Sequence, residues 1–215
     1  MILTQDDFDT RYRENRLRIA LVGMSNIGKS HWTYQITSDH NFKSYEVDAA
    51  IQAELSLHSV SQSAKWMGHP YEDGYAEKSA LYLQHEAKGT LAANALDGNI
   101  VLDTTGSIIH LDKNIKNGLQ NSYLTVYLKA STEAVRTLVE RFNLSPKPLI
   151  WSTHYHKHSG QSDYDSMFTC YPNLLEAREK LYEQLADITL DVEALKDAHT
   201  TDFLTALRDA LPLKT

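Results

Sequence analysis

The stretch Gly23-Met-Ser-Asn-Ile-Gly-Lys-Ser30 decides how the rest of the chain is interpreted. It follows an apolar run, Leu-Arg-Ile-Ala-Leu-Val at residues 17–22, which predicts a short buried strand. Residues 29–38 after it predict a helix. Two glycines five positions apart, followed by lysine and serine between a strand and a helix, indicate a phosphate-binding loop. The alternative is a strand-to-helix turn whose glycines serve only packing.

The expected chemistry of this loop depends on its backbone. The glycines allow N–H groups to turn inward around phosphates, and the helix N-terminus adds a partial positive charge. Lys29 is expected to reach the β- and γ-phosphates and Ser30 to place its hydroxyl on Mg²⁺. The predicted cofactors are therefore ATP and Mg²⁺, although the sequence does not separate ATP from GTP. The residues expected to hold the nucleotide here are Gly23, Ser25, Asn26, Ile27, Gly28, Lys29, Ser30 and His31.

Composition narrows the class of protein. The chain has 215 residues, which suits one domain, and its net charge of −7 argues against a general nucleic-acid binder. Cys170 is the single cysteine, so no internal disulfide is possible and a reducing compartment is expected. The first residues do not resemble a signal peptide, and no apolar run approaches the ~18 residues of a membrane span. We expect a cytoplasmic protein without a membrane partner.

Predicted strands alternate with predicted helices along the chain. Such alternation implies a parallel sheet covered on both faces. The predicted fold is a three-layer α/β/α P-loop NTPase with five parallel strands, in a single domain spanning residues 1–215. After the first strand and helix, strands are predicted at 42–47, 100–103, 123–128 and 188–192. Further helices are predicted at 48–57, 74–96, from 131 onward, at 173–186 and at 200–211.

Residues 143–171 interrupt this alternation because they have no convincing periodicity. A long irregular segment within a compact domain is usually functional or mobile. We expect it to act as a lid. Three histidines within it, His154, His156 and His158, would share one face if the segment were extended. Imidazoles cluster at zinc sites, but no acid or cysteine stands at ligand spacing nearby, so a solvated and partly cationic lid is preferred.

Acidic residues follow two of the predicted strands. Glu46 and Asp48 close the second strand, and Asp103 closes the third. Ligands of open α/β sheets bind beyond the carboxyl ends of the strands. One of these acids should help Ser30 to hold Mg²⁺, with Glu46 and Asp103 as candidates, and another should orient an acceptor hydroxyl. The alternative is that Asp48 caps a helix and Asp103 caps a turn.

From about residue 17 to 192 the chain resembles a shikimate kinase-type P-loop kinase. Besides the loop, FKSYEVDAAI at 42–51 resembles the family's strand that ends in D-x-D. VLDTTGS at 101–107 stands where the family has a three-glycine substrate loop. KPLIW at 147–151 resembles the lid motif R-P-L-L, and residues 174–190 are similar to the family's closing L-x-x-x-R-x-x-L-Y-x-x-x-A-D.

The resemblance implies roles for individual residues. Asp48 takes the acceptor-binding position, and Lys29, Asp48 and Asp103 are the implied catalytic residues. Arg141 takes the place of the arginine that stacks on adenine, Lys147 that of the lid arginine, and Arg178 that of a substrate-carboxylate arginine. The implied substrate-binding set is Asp48, Thr105, Gly106, Ser107 and Arg178. For each arginine the alternative is a solvated surface charge.

The departures from the family concentrate in the acceptor half. The family's F-R-x-x-E is Tyr82-Leu-Gln-His-Glu86 here, and Leu83 cannot bind a carboxylate. Thr105 and Ser107 replace glycines of the substrate loop, and Lys147 lacks the bidentate fork of arginine. We therefore expect a kinase with an acceptor other than shikimate.

Three hypotheses follow. The preferred one is an ATP-dependent phosphotransferase acting on a hydroxyl of a small molecule. The second is a nucleotide-binding module that senses ATP or GTP without phosphoryl transfer. The third, a polynucleotide-end kinase, is disfavoured by the acidic net charge.

Overall fold

A five-stranded sheet, all of whose neighbouring strands are parallel, organises the molecule in the order β2-β3-β1-β4-β5. The computed structural model describes residues 3–144 and 149–213. The strands are β1 Arg18–Val22, β2 Lys43–Glu46, β3 Ile100–Asp103, β4 Leu124–Lys129 and β5 Ile188–Asp191. The predicted five-stranded parallel sheet is confirmed.

Helices cover both faces of this sheet. They are α1 Gln5–Arg13, α2 Lys29–Asp39, α3 Val47–Glu54, α4 Val60–Met67, α5 Tyr75–Ala92, α6 Lys113–Ser122, α7 Thr132–Leu144, α8 Asp163–Leu185 and α9 Thr200–Asp209. Successive residues of β1 enter different cores. Ile19 and Leu21 pack with α1, α2 and α9, whereas Ala20 and Val22 pack with α3, α5, α7 and α8. The architecture is therefore the predicted three-layer α/β/α.

Three helices were not predicted, namely α1, α4 and α6. Each has a thin apolar stripe, since α1 buries only Phe8 and α6 only Leu119, while α4 buries Ser63 and Met67. Local signals start them instead. Thr4 and Asp7 form a capping box at α1, and Ser59 caps α4. Periodicity alone could not identify helices that bury one or two residues.

The prediction that residues 143–171 are irregular throughout is wrong at both ends. Residues 143–144 belong to α7, and residues 163–171 form the first turns of α8, where the Ser162 side chain accepts a hydrogen bond from the Asp165 backbone N–H. Pro172 lies inside α8, whose later part was predicted at 173–186, and proline usually ends a helix, so the sequence did not indicate the earlier turns. The irregular part that the structure describes is 149–162, and Lys147 lies outside the described residues.

The start of this irregular segment is docked against α5. The Tyr75 hydroxyl donates to the Leu149 carbonyl at 2.5 Å and accepts from the Trp151 N–H at 2.9 Å. Trp151 is 2% exposed and packs against Phe142 and Tyr171. The segment therefore forms one wall of the protein interior, and its proposed movement as a lid stays a prediction.

Within residues 3–144 and 149–213, none of the helices combines the length and apolar character needed to cross a bilayer.

The Asn99 side chain joins three elements at the amino-terminal edge of the sheet. It is 2% exposed, its Oδ1 accepts from the Leu17 N–H at 2.7 Å, and its Nδ2 donates to the Tyr12 carbonyl at 3.2 Å. The Asn99 carbonyl also accepts from the Lys43 N–H at 2.9 Å. The side-chain amide thus joins β3 to the start of β1 and to α1, while the Asn99 main-chain carbonyl joins it to β2.

Asn99→Ala should lower the free energy of unfolding by about 1–3 kcal/mol, because it leaves the buried Leu17 N–H without a partner. Urea unfolding at constant pH measures this change. Asn117→Ala on the exposed face of α6 is the matched control and should change stability by less than about 0.5 kcal/mol. Equal stabilities of the two variants would contradict this role for Asn99.

Candidate active site

The loop between β1 and α2 needs glycine at both of its motif positions. Gly23 has φ +147, and a Cβ there would lie 3.0 Å from the Leu128 carbonyl oxygen. Gly28 has φ +107 and stands at the N-cap of α2. A residue with a side chain would strain the backbone at both positions, and at Gly23 its Cβ would also crowd the Leu128 carbonyl oxygen. The loop is therefore a tight strand-to-helix turn pressed against β4, as the sequence predicts for a phosphate-binding loop.

Lys29 lies inside this loop and is only 7% exposed. Its Nζ donates to the carbonyl oxygens of Gly23 at 3.1 Å and Met24 at 3.0 Å. Burial lowers the pKa of Lys29, while the negative charges of Asp103 and Asp48 act to raise it. The ammonium group is thus held beside two carboxylates at the mouth of the loop, where it can meet a phosphate.

Asp103, Ser30 and Glu46 meet at the carboxyl edge of the sheet. Ser30 lies beside Asp103, and both line the same cleft. Glu46 is opposite Asp103 in the β2–β3 register. Burial raises the pKa of Asp103, and Lys29 and Ser30 oppose that rise. The three candidate metal ligands are therefore together, and their hard oxygen donors match those that Mg²⁺ prefers.

An open cleft lies next to the loop. It lies between the phosphate loop, the carboxyl end of β3, and helices α3, α4, α5 and α8. The described residues that line it are Ser25, Asn26, Lys29, Ser30, Asp48, Gln52, Val60, Ser63, Met67, Tyr82, Asp103, Thr104, Thr105, Gly106, Ser107, Leu149, Ile150 and Arg178.

Asp48 faces this cleft from the first turn of α3. The interpretation of Asp48 as an N-cap is wrong, because Glu46 occupies that position and no side chain caps the helix. The Tyr82 hydroxyl donates to Asp48 Oδ1 at 2.8 Å. This bond holds one carboxylate oxygen from α5. Within the described chain no hydrogen bond engages the other oxygen, Oδ2, which is therefore open to a ligand.

The floor of the cleft is a ring of oxygens around Glu86. Thr105 Oγ1 and Ser107 Oγ each contact one Glu86 oxygen, the latter at 2.5 Å, and the two hydroxyls lie 2.9 Å apart. Three contacts require three protons. Two hydroxyls supply two, so a hydrogen bond in all three contacts requires Glu86 to be protonated. This count agrees with burial, which raises the pKa of Glu86 to about 7.

Arg178 enters from α8 and is 2% exposed. Its Nη2 donates to the Ile150 carbonyl at 2.8 Å and its Nη1 to the Gly106 carbonyl at 3.5 Å, while its buried Nε has no hydrogen-bond partner among the described residues. A Cβ on Gly106 would lie 3.1 Å from Ser25 Oγ and 3.6 Å from Arg178 Nη1. Arg178 is therefore a buried cation of the cleft, and its interpretation as a solvated surface charge is wrong.

A second cavity adjoins the phosphate loop on the side of α7. Arg141 lines it from an exposed position. The Phe142 and Tyr171 rings, stacked 3.9 Å apart, form part of its apolar wall. An apolar slot with a cation beside a phosphate loop has the character of a base-binding site. His31 lines neither cavity, because its ring lies against Trp32 with 5.5 Å between centroids.

Leu83, the most conspicuous departure from the family motif, does not face the cleft. It lines a separate cavity with His110 and Trp151, while its neighbour Tyr82 enters the cleft. A change at Leu83 therefore acts on the wall behind Ile150, which borders both cavities.

Several cleft residues had no predicted role, among them Gln52, Ser63, Met67 and Tyr82. Gln52 lies four positions after Asp48 on α3, Met67 four after Ser63 on α4, and Tyr82 four before the buried Glu86 on α5. Side chains at this spacing share one helix face, so a polar stripe on α5 was a usable signal. The contribution of α4 could not be found because the helix itself was not predicted.

The raised pKa of Glu86 predicts a pH-dependent stability. The native state keeps a proton that the unfolded state loses above about pH 4.5, so stability should fall as pH rises from about 4.5 to 7 and level off above 7. The loss contributed by Glu86 should approach about 3 kcal/mol, at ~1.4 kcal/mol per pH unit. Urea unfolding at pH 5, 6, 7 and 8 measures it.

Glu86→Gln is the matched control because the amide keeps the shape and cannot titrate. His110, whose pKa burial lowers to about 4, adds a slope of opposite sign in both proteins, and the difference between them removes it. Parallel stability curves for the two proteins would show that Glu86 is ionised in the native state.

Comparison with known proteins gives the fold. No protein-family model matches the chain, and no curated protein matches it in sequence. Solved shikimate kinases match it in structure. That of Bacteroides thetaiotaomicron has a TM-score of 0.61 at 16% identity, covering 90% of this chain and 97% of its own. That of Acinetobacter baumannii, solved with shikimate, has a TM-score of 0.61 at 15% identity over 93% and 94%. That of Aquifex aeolicus has 0.54 at 20% identity over 90% and 97%. The chain has the fold of a shikimate kinase-like P-loop kinase.

Proposed function

We propose that the protein is an ATP-dependent phosphotransferase that acts on a hydroxyl of a small molecule other than shikimate. The observation that carries this proposal is the placement of Asp48. Its carboxylate shares one cleft with Lys29 and the phosphate loop, and Tyr82 holds one of its oxygens. A nucleotide binder without transfer has no need for an oriented carboxylate beyond the phosphates.

The nucleotide would occupy the loop and the cavity beside α7. Backbone N–H groups of the loop and the α2 N-terminus would bind the phosphates, Lys29 would neutralise the γ-phosphate, and Arg141 would flank the base. Ser30 and Asp103 would hold Mg²⁺, with Glu46 beside them. The ion would supply charge neutralisation on the phosphate oxygens.

Asp48 would position the acceptor. Its Oδ2 can accept a hydrogen bond from the acceptor hydroxyl and point the hydroxyl oxygen at the γ-phosphate, while Tyr82 keeps the carboxylate from rotating. Positioning of this kind is a main source of rate in phosphoryl transfer. The hydroxyl proton would pass to Asp48 as the acceptor oxygen–phosphorus bond forms, while the bond from the γ-phosphorus to its bridging oxygen breaks and ADP leaves.

The remaining surface of the cleft indicates which chemical class of acceptor would fit. Gln52, Thr105 and Ser107 offer hydrogen-bonding groups, which suits a molecule with several hydroxyls. Among the described residues lining the cleft, Lys29 and Arg178 are the cations, and Arg178 already bonds two carbonyls. Because Lys29 would serve the phosphates and Arg178 already bonds two carbonyls, the described lining favours a neutral polyol over a carboxylate.

An assay of γ-phosphate transfer from ATP to polyols, cyclitols, nucleosides and shikimate tests this proposal. We expect transfer to a neutral hydroxylated acceptor that exceeds transfer to shikimate. Tight Mg-nucleotide binding with no acceptor phosphorylated would instead support the nucleotide-sensing module. Preferred phosphorylation of shikimate would overturn the argument on the acceptor.

Lys29→Met should lower the transfer rate by about 10²–10³-fold, because it removes the cation that faces the transferring phosphoryl group. Methionine keeps an unbranched stem in this buried position, so circular dichroism should show a folded protein. Lys113→Met, at an exposed position on α6, is the control and should retain full activity. A folded Lys29→Met protein with unchanged rate would contradict the phosphate-loop assignment.

Asp48→Asn should lower the transfer rate by about 10²-fold or more and leave ADP affinity nearly unchanged, because the amide cannot take the hydroxyl proton. Tyr82→Phe should lower the rate about 2- to 10-fold, the worth of one hydrogen bond. Single-turnover kinetics and ADP titration separate the two effects.

Glu54→Gln on the same helix, exposed and outside the cleft, is the matched control and should change neither quantity. Equal rates for Asp48→Asn and Glu54→Gln would exclude Asp48 from the chemistry.

A further inference from the structure

His156, His158 and Cys170 converge at the junction between the irregular segment 149–162 and helix α8. Cys170 Sγ lies 3.7 Å from His156 Nδ1 and 3.6 Å from His158 Nε2. All three candidate ligand atoms lie within 4.8 Å of one another. The sequence interpretation that no cysteine stands near these histidines is therefore wrong, because the first turns of α8 return Cys170 to them.

These distances match the dimensions of a tetrahedral zinc site. With metal–sulfur and metal–nitrogen bonds of ~2.3 and ~2.1 Å, a tetrahedron has sulfur–nitrogen edges of about 3.6 Å and nitrogen–nitrogen edges of about 3.4 Å. Both sulfur–nitrogen distances already have this length. The imidazole rings have centroids 4.4 Å apart, and their candidate ligand nitrogens lie within 4.8 Å of each other.

The protein holds this arrangement through other contacts. The His158 N–H donates to Ser166 Oγ at 3.0 Å, and that hydroxyl donates to the Ser162 carbonyl at 2.9 Å. The Gln161 N–H donates to the His158 carbonyl at 3.2 Å, closing a turn. Ligands fixed by such bonds lose little freedom when a metal arrives, which favours binding.

Exposure provides access for an ion. Cys170 is fully buried, His158 is half-buried and His156 is exposed. A metal can therefore reach the thiol from the side of His156. His154, two residues earlier, is not part of the cluster.

We propose that His156, His158 and Cys170 bind a zinc ion, with a water molecule in the fourth position. The thiolate and two imidazoles are borderline-soft donors that favour Zn²⁺ over Mg²⁺, whose ligands are oxygens. Binding breaks the Cys170 S–H bond and forms a zinc–sulfur bond, and the proton passes to solvent. The ion would join the irregular segment to α8 and so stiffen the wall that carries Ile150.

Cobalt titration tests the site because Cys170 is the only cysteine in the chain. Chelator-treated protein is titrated with Co²⁺ without nucleotide. We expect a thiolate-to-cobalt charge-transfer band and the strong visible bands of tetrahedral cobalt, saturating at one equivalent and lost when Zn²⁺ is added. Oxygen ligands at the phosphate loop cannot give the charge-transfer band.

Variants assign the ligands. Cys170→Ser should abolish the charge-transfer band, and His156→Gln should weaken cobalt binding at least ~10-fold, as loss of a ligand or its support does. His156 is exposed, so its replacement should not disturb folding. His154→Gln, from the same segment, is the matched control and should bind like wild type.

Hydrogen exchange gives a second readout. Zn²⁺ should slow exchange at the amides of residues 154–162 in the wild type and not in His156→Gln. Folded wild-type protein that shows no charge-transfer band with excess Co²⁺ would overturn the proposal. Binding that His156→Gln leaves unchanged would overturn it as well.

Discussion

The turn out of β1 is the constraint on which the rest of the structure depends. Gly23 leaves the sheet with φ +147, so close to β4 that a Cβ would lie 3.0 Å from the Leu128 carbonyl oxygen. This close passage places the α2 N-terminus directly above the carboxyl edge of the sheet. Because neighbouring strands are parallel, β2 and β3 deliver Glu46 and Asp103 to the same edge. The parallel strands therefore place both acids next to the loop.

Acidic and basic side chains lie close together around the cleft. Lys29 is buried with Asp103 and Asp48 nearby, and Glu86 lies below them in a ring of hydroxyls. Burial raises the pKa of Glu86, and the negative charge of Asp48 raises it further. Under the proposed function, a divalent ion bound with the phosphates would offset the charge of the remaining carboxylates.

The irregular segment 149–162 connects the cleft to the proposed zinc site. At its start Tyr75 bonds the backbone on both sides of Ile150, and the Ile150 carbonyl accepts from Arg178. At its other end His156 and His158 meet Cys170 on α8, the helix that also carries Arg178. Both ends of the segment therefore contact α8. Fixing the end that carries His156 and His158 would limit how far Arg178 and the Ile150 carbonyl can separate.

Local pattern determined most of the architecture. An apolar run before a glycine loop predicts β1 and α2, and the alternation of strands and helices predicts the parallel sheet, because these signals arise within a few neighbouring residues. The loop glycines and Lys29 were identifiable for the same reason. Asp48 and Asp103 were identifiable because the carboxyl ends of parallel strands share one edge.

Tertiary structure decided what depends on contacts between distant segments. Tyr82, on another helix, donates a hydrogen bond to Asp48. Leu83 lines a different cavity, although the family motif suggested that it bordered the acceptor. Pro172 obscured the first turns of α8 in the sequence pattern. The contact between Cys170 and His156, which depends on those turns, was therefore not predicted. Residue spacing describes neighbours along a helix or strand, whereas these pairs are brought together only when the helices pack on the sheet.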